Sequence, residues 1–225
     1  SFREFINLQT GNSFQPYTLD EILRNHEHII KQILPKVSPM KYFQDYLHHG
    51  FYPFFLENRN FTENLLKTMN MMTEVDILLI KQIELKYLTK IKRLFYQLAV
   101  EGAKAPNVSQ LAEEINTSRA TVMNYIKYLA DARLINMIYP TGQEFPKKPS
   151  KVMMHNSNLM YAIYPIQIDK QEVMETFFVN SLWKDHKISQ TGKDHYFIVD
   201  GEKKFRICDA QSPNKVRNNP DIIYA

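Results

Sequence analysis

The stretch NVSQLAEEINTSRATVMNYIKYLADARLINMIY, Asn107–Tyr139, decides the fold that we predict for this chain. Apolar residues at helical spacing predict a short helix. After a tight turn at Asn116 and Thr117 a second helix begins, for which Ser118 is the predicted N-cap. The alternation over Arg133–Tyr139 then predicts a strand. Because an amphipathic helix precedes this stretch, the order helix, helix, turn, helix and strand hairpin is that of a winged helix-turn-helix.

The second of these helices has an apolar face and a hydrogen-bonding face. Steps of about 100° per residue place Val122, Ile126 and Leu129 on the buried side. Outward-facing or capping residues are small, polar or basic, and six of them are candidate DNA-binding residues: Ser118, Arg119, Thr121, Asn124, Lys127 and Tyr128. Asparagine pairs with adenine edges, and hydroxyl and basic groups reach phosphates. Winged helices also serve as protein docking modules with a merely solvated face, so both interpretations stay open.

Basic character is concentrated in the same region. The chain has a net charge of +4, which is too small by itself to indicate a nucleic-acid partner. Over Lys90–Lys148 there are nine Lys or Arg residues and five Asp or Glu residues, so this stretch alone carries +4 and the remainder is neutral on balance. We therefore expect any basic surface for a partner to lie on the helix-turn-helix.

The expected fold class is mainly α with a small α/β C-terminal part. Apolar residues make up 44% of the sequence, with 14 Phe and 13 Tyr, which is enough for several packed cores. We predict a helical bundle over residues 1–88, the winged helix-turn-helix over 89–145, and a small, incomplete α/β domain over 146–225.

Local signals support this division. Thr18 and Glu21 form a predicted capping box at the start of a helix that Pro35 ends. Gly50 is a suitable left-handed residue after the next helix. Near the C-terminus, two short apolar runs around Asp200-Gly201 predict a β-hairpin.

Several chemistries are excluded or disfavoured. The single cysteine, Cys208, cannot form an intrachain disulfide, and no apolar run approaches the ~20 residues that span a bilayer, so we expect a cytoplasmic protein. No histidine has the spacing of a metal site, so no metal is assigned. No G-x-x-x-x-G-K-[ST] loop occurs, and this chain alone is not expected to bind or hydrolyse ATP.

Six motifs in order resemble a large prokaryotic family of AAA+-like ATPases. They lie at Ser1–Phe5 (SFREF), Tyr46–Pro53, the helix-turn-helix (Asn107–Ala112 with Tyr125–Leu129), Lys148–Val152, Asn156–Leu159 and Glu175–Phe178. The resemblance implies a separate N-terminal domain that carries the phosphate-binding loop and binds ATP and Mg²⁺. It also implies a final domain with a restriction-endonuclease fold. The start at Ser1, within an amphipathic pattern, agrees with a piece of a longer protein.

The nuclease-like tail departs from the pattern of that family. Four carboxylates could in principle gather around a metal: Glu175, Asp194, Asp200 and Asp209. Relatives have an acidic residue where this chain has Tyr196, before the F-x-V-D-G hairpin, and a glutamate where it has Arg206. An arginine repels Mg²⁺, and Glu175 alone cannot hold the ion. We therefore expect a degenerate nuclease site at Glu175, Tyr196 and Arg206 and no catalytic residue in this chain.

The sequence thus predicts the C-terminal regulatory and DNA-binding part of an ATPase. Its expected partners are double-stranded DNA and its own N-terminal ATPase domain, with no membrane; an oligomer is compatible with the sequence. The alternative is a scaffold that docks on the ATPase core or another protein without binding DNA. The aromatic density over Phe51–Phe55 favours that alternative, although a local core explains it as well.

Overall fold

The structure is a computed structural model that describes residues 1–57, 60–80, 84–190, 196–208 and 221–225. The chain divides into two compact units, Ser1–Thr62 and Glu63–Ala225. It is mainly α with a small α/β C-terminal part, which confirms the predicted fold class. In the described ranges, no helix has the length and apolar character needed to cross a bilayer.

The first unit consists of helices and helical turns. They are α1 (Phe2–Thr10), α2 (Leu19–Ile33), α3 (Met40–Asp45), a π-helical turn (Tyr46–Gly50) and a 3-10 turn (Pro53–Glu57). The predicted capping box is present, since the Glu21 backbone N–H donates to the Thr18 hydroxyl at 3.2 Å and the Glu21 carboxylate accepts from the Thr18 N–H at 2.8 Å.

Aromatic rings form the core of this unit. The Phe5 ring lies 4.7 Å from that of Phe55 and 5.7 Å from that of Tyr46. The expectation of a left-handed Gly50 is wrong, because Gly50 lies inside the π-helical turn and has no positive φ. A Cβ there would come within 2.7 Å of the Phe5 ring, so the absence of a side chain lets the aromatic core close. The left-handed cap is instead Gly11, after α1 (φ 69°).

The second unit begins with helices and ends with strands. Its helices are α4 (Phe61–Met72, most of which belongs to this unit), α5 (Leu88–Glu101), α6 (Val108–Glu114), α7 (Arg119–Asp131), α8 (Ser157–Ile163) and α9 (Lys170–Leu182). A π-helical segment (Thr73–Ile80) follows α4, and 3-10 turns lie at Leu85–Tyr87 and Pro165–Gln167. The strands are β1 (Ile135–Ile138), β2 (Lys151–Met154), β3 (Ile188–Gln190), β4 (Phe197–Val199), β5 (Lys203–Arg206) and β6 (Ile222–Tyr224).

Strand β1 pairs with β2 across the boundary that the sequence predicts at residues 145 and 146. The pairing is antiparallel, with Ile135 opposite Met154 and Ile138 opposite Lys151. The other strands form one sheet in the order β3-β4-β5-β6, in which β5 and β6 are parallel. The predicted hairpin between β4 and β5 turns at Asp200 and Gly201, with φ of 55° and 78°.

One apolar core joins β1, the strand after α7, to β2 and the elements that follow it. Its buried members come from β1, β2, α9, β4 and the segment after β5: Ile138, Met153, Val179, Phe197 and Ile207. A further link is the hydrogen bond from the Gln190 backbone N–H to the Tyr139 carbonyl, 3.0 Å long. These contacts link the predicted 89–145 and 146–225 regions, which both lie in the second compact unit.

Candidate functional site

Helix α7 begins with the predicted turn and cap. Asn116 takes up a left-handed conformation (φ 50°), and the Thr117 N–H donates to the Ala112 carbonyl at 2.9 Å, which closes the turn after α6. The Ser118 hydroxyl accepts a 3.1 Å hydrogen bond from the Thr121 N–H, which is the usual N-cap geometry. The sequence therefore identified both the end of α6 and the start of α7.

The buried side of α7 is also the predicted one. Val122, Ile126 and Leu129 are completely buried. Tyr125 is buried as well, with 5% of its surface exposed, and sequence reasoning missed it. Its spacing of three residues from Val122 and four from Leu129 is the signal that could have placed it on this side.

The six candidate DNA-binding residues differ in their exposure and in their hydrogen bonds and ion pairs. Ser118, Arg119 and Asn124 are exposed, whereas Thr121, Lys127 and Tyr128 are half-buried. The hydroxyls of Ser118 and Thr121 form a hydrogen bond of 2.8 Å with each other. The Lys127 ammonium is paired with the Asp131 carboxylate one turn later. In the part of the chain that the structure describes, the Arg119 guanidinium has no hydrogen bond or ion pair.

A shallow groove of about 410 Å³ runs beside α7, and we call it the tyrosine groove. Seven residues line it: Glu84, Tyr87, Thr117, Thr121, Asn124, Tyr125 and Tyr128. Three of these are predicted DNA-binding residues, and the other four are not. Glu84 and Tyr87 come from the turn before α5, more than thirty residues before α7, so no local pattern could place them beside it.

The groove is polar and partly aromatic. The Tyr125 and Tyr128 ring centroids are 6.3 Å apart. Burial raises the pKa of the Tyr125 phenol, and neighbouring Tyr87 and Tyr128 raise it further, so this hydroxyl stays protonated and neutral. Glu84 places a carboxylate on one wall, which disfavours a phosphate inside the groove.

Each of the three predicted nuclease residues has its own neighbours in the structure. The Glu175 carboxylate is buried, and its Oε2 lies 2.6 Å from the Lys151 Nζ. Its other oxygen accepts from the Gln171 amide at 3.2 Å. Tyr196 lies under the Lys204 ammonium, 5.8 Å from the ring centroid, and Arg206 is opposite Tyr224 in the β5–β6 pair.

Asp200, another of the four predicted carboxylates, has partners of its own. Asp200 accepts from the Lys187 N–H at 2.9 Å and is 2.7 Å from the His186 Nδ1. These bonds lower the pKa of the Asp200 carboxyl. Asp194 and Asp209 lie outside the described residues. Within the described ranges no three His, Cys, Asp or Glu side chains are grouped to hold a metal ion.

A protein family described as a domain of unknown function, DUF8612, matches residues 40–170, which is more than half of the 225 residues. The chain belongs to this family. The DUF8612 match includes all of α5, α6 and α7, the β1–β2 pair and the tyrosine groove.

A relative of this DUF8612 protein is MJ1637 of Methanocaldococcus jannaschii, an uncharacterised protein. It is 26% identical over 148 residues, which cover 63% of this chain and 31% of that protein. The aligned part of this chain thus spans about a third of the relative. No solved structure matches the chain.

Proposed function

We propose that this chain is the C-terminal regulatory part of a cytoplasmic AAA+-like ATPase and that α7 binds double-stranded DNA. In this proposal α5–α7 with β1–β2 form the winged helix-turn-helix. ATP and Mg²⁺ bind to the N-terminal domain of the full-length protein. The six ordered motifs support the ATPase assignment. Most of the relative's length lies outside the region aligned with this chain, which is compatible with further domains in that protein.

The observation that carries the DNA-binding proposal is the exposed, unpaired guanidinium of Arg119 in the first turn of α7. The free backbone N–H groups and the helix dipole make this end of the helix partly positive. An arginine at such an end adds a full charge and a planar donor set that matches a phosphate. DNA contact is therefore centred on the start of α7.

The other polar groups of α7 have graded roles. Asn124 is exposed and can offer both its amide donor and acceptor to an adenine edge. Lys127 contributes less to phosphate binding than Arg119, because Asp131 already compensates its charge. Ser118 and Thr121 hold the helix start in shape through their mutual hydrogen bond.

The test is fluorescence anisotropy with a labelled duplex of mixed sequence at several salt concentrations. The unaltered chain should bind with an affinity that falls as salt rises, and Arg119→Ala should reduce the log–log slope by about 0.9. Arg24→Ala, which removes an exposed arginine from α2, is the matched control and should leave the slope unchanged. The absence of duplex affinity at low salt would exclude DNA binding by α7.

The second candidate function is a protein-docking scaffold without DNA binding. The tyrosine groove favours it, because three tyrosines and a carboxylate form a surface that suits a polypeptide better than a phosphate backbone. The aromatic run Phe51–Phe55 favours it less, since Phe55 packs on Phe5 within the first unit. Binding of a protein partner that persists in Arg119→Ala, without any duplex affinity, would favour this candidate.

We also propose that the tail does not cleave DNA. Lys151 supplies the positive charge beside Glu175 that a metal ion would supply in an active nuclease. Incubation with supercoiled DNA and Mg²⁺ should leave the DNA intact. Mg²⁺-dependent cleavage that is lost in Glu175→Ala, with circular dichroism showing that the variant is folded, would contradict this proposal.

A further inference from the structure

The walls of the tyrosine groove have the chemistry of a cation site. Tyr87 and Tyr128, which are half-buried, and the buried Tyr125 line the groove, and Glu84 adds a carboxylate. The face of an aromatic ring is electron-rich and attracts cations, most strongly when a planar guanidinium stacks on it. Glu84 supplies a full negative charge that can accept two parallel hydrogen bonds from such a group.

The structure already places an ammonium group at the edge of this site. The Lys86 Nζ lies 2.7 Å from a Glu84 carboxylate oxygen and 4.9 Å from the centroid of the Tyr87 ring. Lys86 itself does not line the groove, and its side chain is 60% exposed. The contact shows that Glu84 and Tyr87 together accept a cation in this geometry.

The Lys86–Glu84 pair is exposed, so an incoming cation can displace Lys86 from Glu84 with little loss of free energy. Exposed lysine–carboxylate pairs contribute little to stability. A guanidinium, by contrast, can bind the carboxylate through two hydrogen bonds and stack on a tyrosine at the same time. The Thr117 hydroxyl and the Asn124 amide on the same groove can hydrogen-bond the flanking peptide backbone.

We propose that the tyrosine groove binds an arginine side chain of a partner polypeptide. The guanidinium lies between the Glu84 carboxylate and the tyrosine rings. Arginine binding here does not require DNA binding at Arg119, but the two ligands would share contacts to Thr121, Asn124 and Tyr128. A bound arginine peptide and a DNA duplex therefore compete for α7.

The test is an NMR titration of the full chain with N-acetyl-arginine amide, compared with N-acetyl-citrulline amide, which has the same shape and no charge. Arginine should shift the amide signals of residues 84–87 and 117–128, and citrulline should bind at least about tenfold more weakly. Equal shifts from the two probes, or no shifts in these segments, would overturn the proposal.

Two variants examine the role of the carboxylate. Glu84→Gln should weaken arginine binding about tenfold. The control Glu63→Gln removes an exposed glutamate that is likewise paired with a lysine, Lys67, and should have no effect. Lys86→Ala should strengthen binding because it frees the Glu84 carboxylate. Circular dichroism establishes that each variant is folded, and an unchanged affinity in folded Glu84→Gln would refute the proposal.

A single-stranded oligonucleotide provides the competing outcome, since bases also stack on tyrosines. Oligothymidylate should not shift the signals of Glu84 and Tyr87. If it does so, and if Glu84→Gln strengthens its binding, then the groove is a nucleic-acid site and not an arginine site. A failure of duplex binding at Arg119 would leave the arginine titration unaffected, so the two proposals can fail separately.

Discussion

Two lysine–carboxylate ion pairs in the second unit contain the same kinds of charged group but differ in burial. Lys127 and Asp131 on α7 keep 40% and 31% of their side-chain surface exposed. Lys151 and Glu175, which join β2 to α9, keep only 12% and 11%. If one member of the Lys127–Asp131 pair is removed, water can solvate the charge that is left. Water cannot do the same for the buried Lys151–Glu175 pair. The α7 pair is therefore available for exchange with a ligand, whereas the buried pair is part of the framework.

Removal of the carboxylate should show the largest difference in stability between the two pairs. Glu175→Ala leaves the Lys151 ammonium buried without its counter-charge, and it should lower the free energy of unfolding by about 3–5 kcal/mol. Asp131→Ala, the matched change in the exposed pair, should lower it by less than about 1 kcal/mol. Urea unfolding followed by circular dichroism measures both. Similar losses for the two variants would remove the distinction between framework and exchangeable pairs.

Acid should weaken the buried region through His155. Burial, with a smaller effect from the Arg133 charge, lowers the pKa of this imidazole from 6.5 to about 4. Its Nδ1 lies 3.1 Å from the Asn136 side-chain oxygen, and Trp183 packs on its ring. The unfolded chain binds the proton between these pH values and the folded protein does not. Stability should therefore fall by roughly 3 kcal/mol as the pH drops from 6.5 to 4.

The measurement is urea unfolding at a series of pH values for the unaltered chain and for His155→Gln. The variant should lose the part of the acid-side slope that is due to this histidine, whatever its absolute stability. His26→Gln, which removes an exposed histidine from α2, is the control. If both variants flatten the profile equally, burial of His155 is not the cause.

Two glycines, Gly102 and Gly142, test how much space their surroundings leave for a side chain. Gly102 has a φ of 75°, and a Cβ there would lie 2.4 Å from the Glu172 Oε1, which accepts from the Ala103 N–H at 2.8 Å. Gly142 has a φ of 76° and nothing within 4 Å of its Cβ position. Gly142→Ala should cost about 1–2 kcal/mol for the backbone. Gly102 has a ψ of −175°, a conformation that is essentially confined to glycine, so Gly102→Ala should cost about 1–3 kcal/mol for the backbone and about 1 kcal/mol more for the displaced carboxylate. Thermal unfolding compares the two.

The smallest expected difference lies within α7 itself. Lys127→Ala should change the salt dependence of duplex binding by less than the change of about 0.9 expected for Arg119→Ala, because Asp131 already neutralises Lys127. The double variant should resemble Arg119→Ala. A slope change for Lys127→Ala as large as that for Arg119→Ala would mean that DNA displaces Asp131 from the lysine.

Sequence patterns were sufficient where the determinants are local. The caps at Thr18 and Ser118, the turn at Asn116 and the buried side of α7 depend on residues within four positions of one another, and each is present. Fold class followed from the same periodicities. The assignment to an ATPase and the division into three domains stay predictions.

The rest depends on contacts between distant segments. Glu84 and Tyr87 reach the groove only because the turn before α5 packs beside α7. The sequence marked Glu175 as a nuclease residue, but its partner Lys151 lies 24 positions earlier on another element. No spacing rule pairs them. The need for a glycine at position 50 also depends on a distant residue, since a Cβ there would meet the ring of Phe5, 45 positions earlier.

The pairing of β1 with β2 has a consequence for how this region can be divided. A fragment that stops at residue 145 would keep β1 without its hydrogen-bonding neighbour and would uncover Ile138, which packs with Met153, Val179 and Phe197. Such a fragment would aggregate through an open strand edge. Expression, truncation and domain-swap experiments should therefore cut before Phe61, where α4 begins, and keep α7 and the tail together in one fragment.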